Sequence, residues 1–249
     1  MKAIITDLDR TLLYSDKSLS EYAIDVLKRC RAKGLLIMAA TARPERSIWK
    51  YDELIHFDAI ATINGAKVLM ENQSMENGIA HTSAEAILAR LCGIEDIVLS
   101  LEASDGFYAN VDIPEWSPIV FSGFPKLPTQ GCVYKILASC ERKDILPLVQ
   151  EALTEDTYYT VANGNLIQIM SKGATKWKGI QTMLAAWRVS TEEAVYFGDD
   201  NDDIEAIQKC GLGVAVANAI PAVLEAADVV VGNNDEDGVA RYLEEQLLR

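Results

Sequence analysis

The chain has 249 residues, 49% of them hydrophobic, long enough for one large α/β domain or for a core domain that carries a smaller one. Its formal net charge of -14, with Lys and Arg scattered rather than blocked, excludes the basic patch that a nucleic-acid partner or an anionic membrane surface needs. Five cysteines without a C-x-x-C pair suggest neither a zinc site nor a disulfide framework, and no stretch approaches the roughly 20 apolar residues of a membrane span, so a soluble cytoplasmic protein is expected.

An apolar run, Ala3 to Thr6, predicts a buried first strand that ends at Asp7, with Asp9 and Thr11 just beyond. Side chains two apart in an extended segment project the same way, and in open parallel sheets ligands bind beyond the carboxyl ends of the strands. Asp7 and Asp9 are therefore expected to face one site. Ser20 to Ala32 predicts an amphipathic helix capped by Ser20, with Gly34 as its stop. Leu35 to Ala40 predicts a second strand ending at Thr41, helix resumes after Pro44, and Phe57 to Ile63 predicts a third strand ending at Asn64 and Gly65. Strands alternating with helices in this way predict an α/β fold with a doubly wound, Rossmann-like parallel sheet.

From about His81 to Met170 the texture changes. A helix is predicted over Ala84 to Leu91, strands at Ile97 to Leu101 and Cys132 to Ser139, and a helix from Arg142 to Leu153. Pro114, Pro118, Pro125 and Pro128 suit loops and edge strands better than buried parallel strands. Tyr158 to Val161 and Leu166 to Met170 are split by Ala162 to Asn165, a hairpin signal. After Gly173 the alternation returns: helix Thr175 to Trp187, strand Ala194 to Phe197, helix Asp202 to Lys209, strand Gly213 to Val216, helix Pro221 to Ala226, strand Asp228 to Val231 and helix Gly238 to Leu248. The expected organisation is a discontinuous core, residues 1–81 and 173–249, with an inserted α+β cap over 82–172.

Carboxylates at two strand ends, Asp7 with Asp9 and the run from Asp199 to Asp203, suggest a magnesium site. The acidic balance points the same way, because a net-negative protein that binds an anionic phosphate must reverse its own field locally, which a divalent cation and a Lys can do. Read alone, Asp7 and Asp9 are either a solvated turn or a catalytic pair. In the catalytic reading Asp7 is a nucleophile that forms an aspartyl phosphate. Asp9 is then the general acid and base, protonating the leaving alcohol and later deprotonating water, provided neighbouring charge favours its protonated form. Thr41 is either the N-cap of the next helix or a hydroxyl offered to a phosphate oxygen, with Arg43 a weaker candidate beside it. Lys172, Lys176 and Lys178 lie together where the α/β alternation resumes, and the residues alone single out none of them.

Asp7 to Thr11, Thr41 after an apolar strand, a Lys in the third quarter and Gly198-Asp199 with Asp203 together resemble the four motifs of the haloacid dehalogenase (HAD) superfamily. The tail from Gly198 to Ile204, then Val214 to Ala219 and Glu236 to Ala240, with the late insert, is similar to the Cof-type phosphatases that carry a C2 cap. The resemblance implies a HAD core in which Asp7 and Asp9 are catalytic with Lys176, Lys172 being the alternate. It implies phosphate or substrate binding by Thr41 and Ala42, with Asn64 and Asn218 lining the pocket. Magnesium would be held by Asp7, the backbone carbonyl of Asp9, Asp199 and Asp203, the last through a water or by orienting the shell. Two residues depart from the family pattern: Arg10 stands where Gly is usual and Asp202 where Asn is common. The implied activity is Mg2+-dependent hydrolysis of a small phosphorylated metabolite, such as a sugar phosphate, through an aspartyl phosphate. A phosphomutase or phosphotransferase on the same core, or a non-catalytic phospholigand sensor, are the alternatives. Nothing in the sequence fixes an oligomeric state.

Overall fold

The computed structural model describes every residue except 72, 122–125 and 163–164. Pro125 and the hairpin tip at Asn163 and Gly164 thus lie outside the described residues. In chain order the strands and helices are β1 (Ala3–Thr6), α1 (Glu21–Ala32), β2 (Leu36–Ala40), α2 (Trp49–Ile55), β3 (Ala59–Thr62), β4 (Lys67–Met70), β5 (Gln73–Glu76) and α3 (His81–Leu91). They continue with β6 (Val98–Ala103), β7 (Gly106–Ala109), β8 (Ile119–Val120), β9 (Val133–Ser139), α4 (Leu146–Ala152), β10 (Thr157–Ala162) and β11 (Leu166–Ser171). The last stretch holds α5 (Lys176–Ala186), β12 (Ala194–Gly198), α6 (Ile204–Lys209), β13 (Leu212–Val216), α7 (Pro221–Ala226), β14 (Val229–Val231) and α8 (Gly238–Leu243).

Two compact units result, Met1–Met75 with Thr175–Arg249, and Glu76–Ala174. The first contains a sheet of order β14-β13-β12-β1-β2-β3-β4-β5, parallel from β14 to β3. All four residues of β1 are buried, as a central parallel strand covered on both faces requires. Helix α1 presents Ala23, Val26, Leu27 and Cys30 to the core at helical spacing, and Ser20 caps it by accepting from the Ala23 N–H at 2.9 Å.

The sheet is mixed rather than wholly parallel, because β4 runs back antiparallel to β3. Asn64 and Gly65 therefore reverse the chain within the sheet instead of only ending a strand. Gly65 takes φ +85, and a Cβ there would lie 2.3 Å from the Thr175 carbonyl oxygen, so only glycine lets this turn press against the start of α5. Thr175 caps α5, its hydroxyl accepting from the Lys178 N–H at 3.2 Å.

The second unit holds a sheet of order β10-β11-β9-β6-β7-β8, antiparallel except where β7 meets β8. Its core gathers Leu99, Leu101, Ile136, Ala138, Ile167 and Ile169 with Ile87 and Leu88 of α3 and Val149 of α4. By alternation, Ser100, Lys135 and Gln168 belong to the opposite sheet face, where the Lys135 ammonium donates to Gln168 Oε1 at 2.6 Å. Helix α4 begins at Leu146, not at Arg142, because Asp144 turns the chain by accepting from the Leu146 N–H at 3.0 Å and Pro147 suits a first turn. No helix among the described residues is long and apolar enough to cross a membrane.

Candidate active site

The sheet register brings three strand ends together. Thr6 of β1 pairs with Phe197 of β12 on one side and Ala39 of β2 on the other, so Asp7, Asp199 and Thr41 leave the same edge. The Asp7 N–H extends the ladder by donating to the Phe197 carbonyl at 2.9 Å. After Asp7 the chain closes a tight turn over Leu8–Leu12, in which Arg10 takes a left-handed φ of 58. That conformation suits the Gly of the resembled pattern. Here Arg10 keeps it and puts a guanidinium at the site, its Nε 3.9 Å from Asp199 Oδ2.

Asp203 organises the second acidic cluster. Its Oδ2 accepts from the Asp199 and Asp200 N–H groups at 2.9 and 3.0 Å, and its Oδ1 accepts from the Lys176 ammonium at 2.7 Å and from the Tyr196 hydroxyl. A Cβ on residue 198 would come within 2.6 Å of the Asp203 Cγ, so Gly198 is what lets the carboxylate fold back over its own backbone. Thr11 donates to Asp199 Oδ1 at 2.9 Å and fixes that side chain from the β1 turn.

Lys176, in the first turn of α5, is 2% exposed and faces three carboxylates: Asp203 at 2.7 Å, Asp7 at 3.2 Å and Asp202 at 3.3 Å. A cation at a helix N-terminus opposes the macrodipole, and these carboxylates account for its presence there. Lys172 and Lys178 are exposed. Burial, reinforced by Asp203, Asp202 and Asp199 and opposed by Lys176, pushes the Asp7 carboxyl well above its ordinary range. Burial and then Asp203 raise Asp199 to about 6. Burial also lifts Asp202, against the pull of Lys176. Burial alone would lower Lys176, yet Asp202, Asp203 and Asp7 together hold it well above its ordinary value. One buried lysine stands among more carboxylates than it neutralises.

Asp9 is on the open side of the turn, its side chain 42% exposed, and both of its oxygens are gripped by Arg43, at 2.6 Å from Nε and 2.6 Å from Nη2. The charge beside Asp9 is thus the Arg43 guanidinium, held in a two-pronged contact. Thr41 is buried, and its hydroxyl accepts from the Arg43 N–H at 3.2 Å rather than capping the helical turn at Glu45–Ser47. Ala42 is exposed. The Thr41 carbonyl accepts from the Asn64 N–H at 2.9 Å, which holds Asn64 beside it. Ile63 and Asn64 both take left-handed conformations, φ 50 and 53, and Asn64 Oδ1 is the one buried side-chain polar atom without a partner among the described residues. A strained backbone that presents an unpaired acceptor is the sort of feature found at binding sites. Asn218 works as a loop clamp: its Nδ2 donates to the Arg10 carbonyl at 2.7 Å and its Oδ1 accepts from the Asn234 N–H at 2.9 Å.

The structure thus brings Asp7, Lys176, Asp199 and Asp203 into one cluster, sets Thr41, Asn64, Arg43 and Asp9 around the β2 and β3 ends, and ties Asn218 to Arg10. Sequence reasoning assigned no role to Thr11 or Tyr196. Thr11 carried a signal as the third polar residue of its turn. Tyr196 carried only a hydroxyl in an otherwise apolar strand.

A family model described as haloacid dehalogenase-like hydrolase matches residues 4–243. The chain is 29% identical over 263 residues to the 5-amino-6-(5-phospho-D-ribitylamino)uracil phosphatase YitU of Bacillus subtilis, the match covering 97% of this chain and 96% of that one. It superposes on a haloacid dehalogenase-like hydrolase from B. subtilis with a TM-score of 0.86 at 21% identity, covering 99% of this chain and 100% of that one. The subclass IIB sugar phosphatase BT4131 gives a TM-score of 0.79 at 22% identity and 98% coverage of both chains. The chain belongs to the haloacid dehalogenase-like hydrolases and is an enzyme of a family whose matched members include phosphatases.

Proposed function

We propose that the chain is a Mg2+-dependent phosphomonoesterase that works through an aspartyl phosphate on Asp7 and takes a small polyhydroxy substrate such as a sugar phosphate. The observation that carries this reading is the buried cluster in which the Asp7 carboxylate meets the Lys176 ammonium at 3.2 Å beside Asp199 and Asp203.

The donor set fits the metal. Asp7, Asp199 and Asp203 offer carboxylate oxygens within 4.8 Å of one another, and a hard divalent cation takes oxygen ligands. Asp7, Asp199 and the Asp9 carbonyl would hold the ion. Asp203, whose two oxygens already accept four hydrogen bonds, would support the shell from behind. When bound, Mg2+ neutralises charge on a phosphoryl oxygen and orients it.

The chain's own residues supply the rest. An Asp7 oxygen attacks phosphorus, the bond from phosphorus to the leaving oxygen breaks, and that oxygen takes a proton from Asp9. Asp9, now a carboxylate, removes a proton from water, whose oxygen displaces Asp7 from phosphorus and releases inorganic phosphate. For this exchange Arg43 must yield at least one of the two Asp9 oxygens it grips. Thr41 offers its hydroxyl to a phosphoryl oxygen with Ala42 next to it, and the unpaired Asn64 Oδ1 accepts from a substrate hydroxyl. Asn218 keeps the Arg10 turn in place. Residues 82–172 form the cap that selects the leaving group. The phosphoribityl and sugar substrates named for YitU and BT4131 support a small polyhydroxy leaving group.

The test is release of inorganic phosphate from p-nitrophenyl phosphate and from sugar and polyol phosphates, with Mg2+ and with chelator, for the native chain and Asp7→Asn. Metal-dependent turnover that Asp7→Asn abolishes is expected, with free phosphate as product. Phosphate passed instead to a second sugar hydroxyl would replace the hydrolase reading with a phosphotransferase.

A further inference from the structure

An ammonium group has three N–H donors, and Lys176 faces three carboxylate oxygens, one each from Asp203, Asp7 and Asp202. The three contacts are not equivalent. Asp203 is fully buried and anchored by the Tyr196 hydroxyl and two backbone N–H groups besides Lys176. Asp7 stands at the end of β1 as the proposed nucleophile. Asp202 is the outermost of the three, with a side chain 25% exposed, and Lys176 is the cation it faces, at the longest of the three distances, 3.3 Å. Its next neighbours, Asp203 and Asp200, repel it.

A phosphoryl group arriving at Asp7 needs a proton from Lys176, and the contact open to replacement is the one with Asp202. We infer that Asp202 is a positioning residue that competes with phosphate for Lys176 and thereby sets how weakly the product is held; this rests on the phosphomonoesterase reading. Once displaced, the Asp202 carboxylate remains as a negative charge beside the bound phosphate and speeds its departure. Without that charge, Lys176 turns its third proton to the phosphate and keeps it.

The experiment is direct titration of inorganic phosphate by calorimetry at saturating Mg2+ and pH 7.5, a readout that needs no turnover, on the native chain and three variants. Asp202→Asn and Asp202→Ser, which remove the charge, should bind phosphate about tenfold more tightly, the effect of one partly screened charge at close range. Asp202→Glu, which keeps the charge, should bind as weakly as the native chain. Steady-state kinetics should show product inhibition rising in step, with KM falling more than kcat. A purely structural Asp202 would instead lower thermal stability and kcat while leaving phosphate affinity unchanged in whichever of the two neutral variants folds, and that result overturns the inference. A native chain that neither hydrolyses p-nitrophenyl phosphate nor binds phosphate overturns the phosphomonoesterase reading as well, so the two failures are distinguishable.

Discussion

Replacing Lys176 with Met removes the shared cation from Asp7, Asp202 and Asp203 while keeping most of the side chain's volume. Breaking a buried ion pair by deleting one partner costs about 3–5 kcal/mol, because the remaining charge is left uncompensated. Lys176 is 2% exposed and Asp203 wholly buried, which puts this site at the costly end. The cost has a ceiling, since carboxylates that cannot remain ionised take up protons, each tenfold change in proton affinity being worth about 1.4 kcal/mol. Asp7 already lies well above its ordinary range with Lys176 present, and without it the folded state binds still more protons than the unfolded chain. Stability then falls as pH rises. The loss on Lys176→Met should accordingly be about 3–4 kcal/mol at pH 8 and shrink to about 1 kcal/mol near pH 5. Urea denaturation in chelator at both pH values, followed by far-UV circular dichroism, gives both numbers. A loss below about 1 kcal/mol at pH 8, or an equal loss at both pH values, would refute the view that this lysine holds the carboxylates together.

Other outcomes follow from the same geometry. Asp203→Ala strips an acceptor from Tyr196, Lys176 and two backbone N–H groups, and should cost about 3–5 kcal/mol by denaturation, with Asp203→Asn losing less because its amide oxygen still accepts. Gly65→Ala should cost at least about 2 kcal/mol by thermal denaturation, since the added Cβ must clear the Thr175 carbonyl in a left-handed backbone. With Asp199 raised to about 6, the folded chain in chelator holds a proton that the unfolded chain has released, so stability should drop by up to about 3 kcal/mol between pH 4 and pH 6.5. Asp199→Asn should flatten that slope, and saturating Mg2+ should do the same in the native chain. Arg43→Lys, which keeps the charge but loses the two-pronged grip on Asp9, should change kcat more than KM in the p-nitrophenyl phosphate assay.

Much of the core was legible because burial leaves a period in the sequence. The apolar runs that become β1, β2, β3 and β12 end at Asp7, Thr41, Asn64 and Asp199, and parallel pairing carries those four ends to one edge. What escaped depends on tertiary register or on weak local signals. Strands β4, β7 and β8 have four residues or fewer and no long apolar run, and the start of α4 was set by an Asp144 turn that periodicity does not report. The pairing of Asp9 with Arg43 spans 34 residues and that of Asp203 with Lys176 spans 27, so neither can be read from local pattern. The same holds for Asp202: its departure from the usual Asn was visible in the chain, but its contact with Lys176 was not.

The most direct test of the proposed chemistry is whether phosphate becomes covalently attached to Asp7 during turnover. Acid quenching within milliseconds of mixing the native chain with Mg2+ and excess substrate, followed by borohydride reduction and peptide mass spectrometry, reads the attachment site. Homoserine in place of Asp7, the reduction product of an aspartyl phosphate, is expected in the peptide carrying that position, formed no more slowly than steady-state turnover and absent from Asp7→Asn. Turnover that proceeds with no modification of Asp7, or that survives Asp7→Asn, would contradict a phosphoenzyme on this residue.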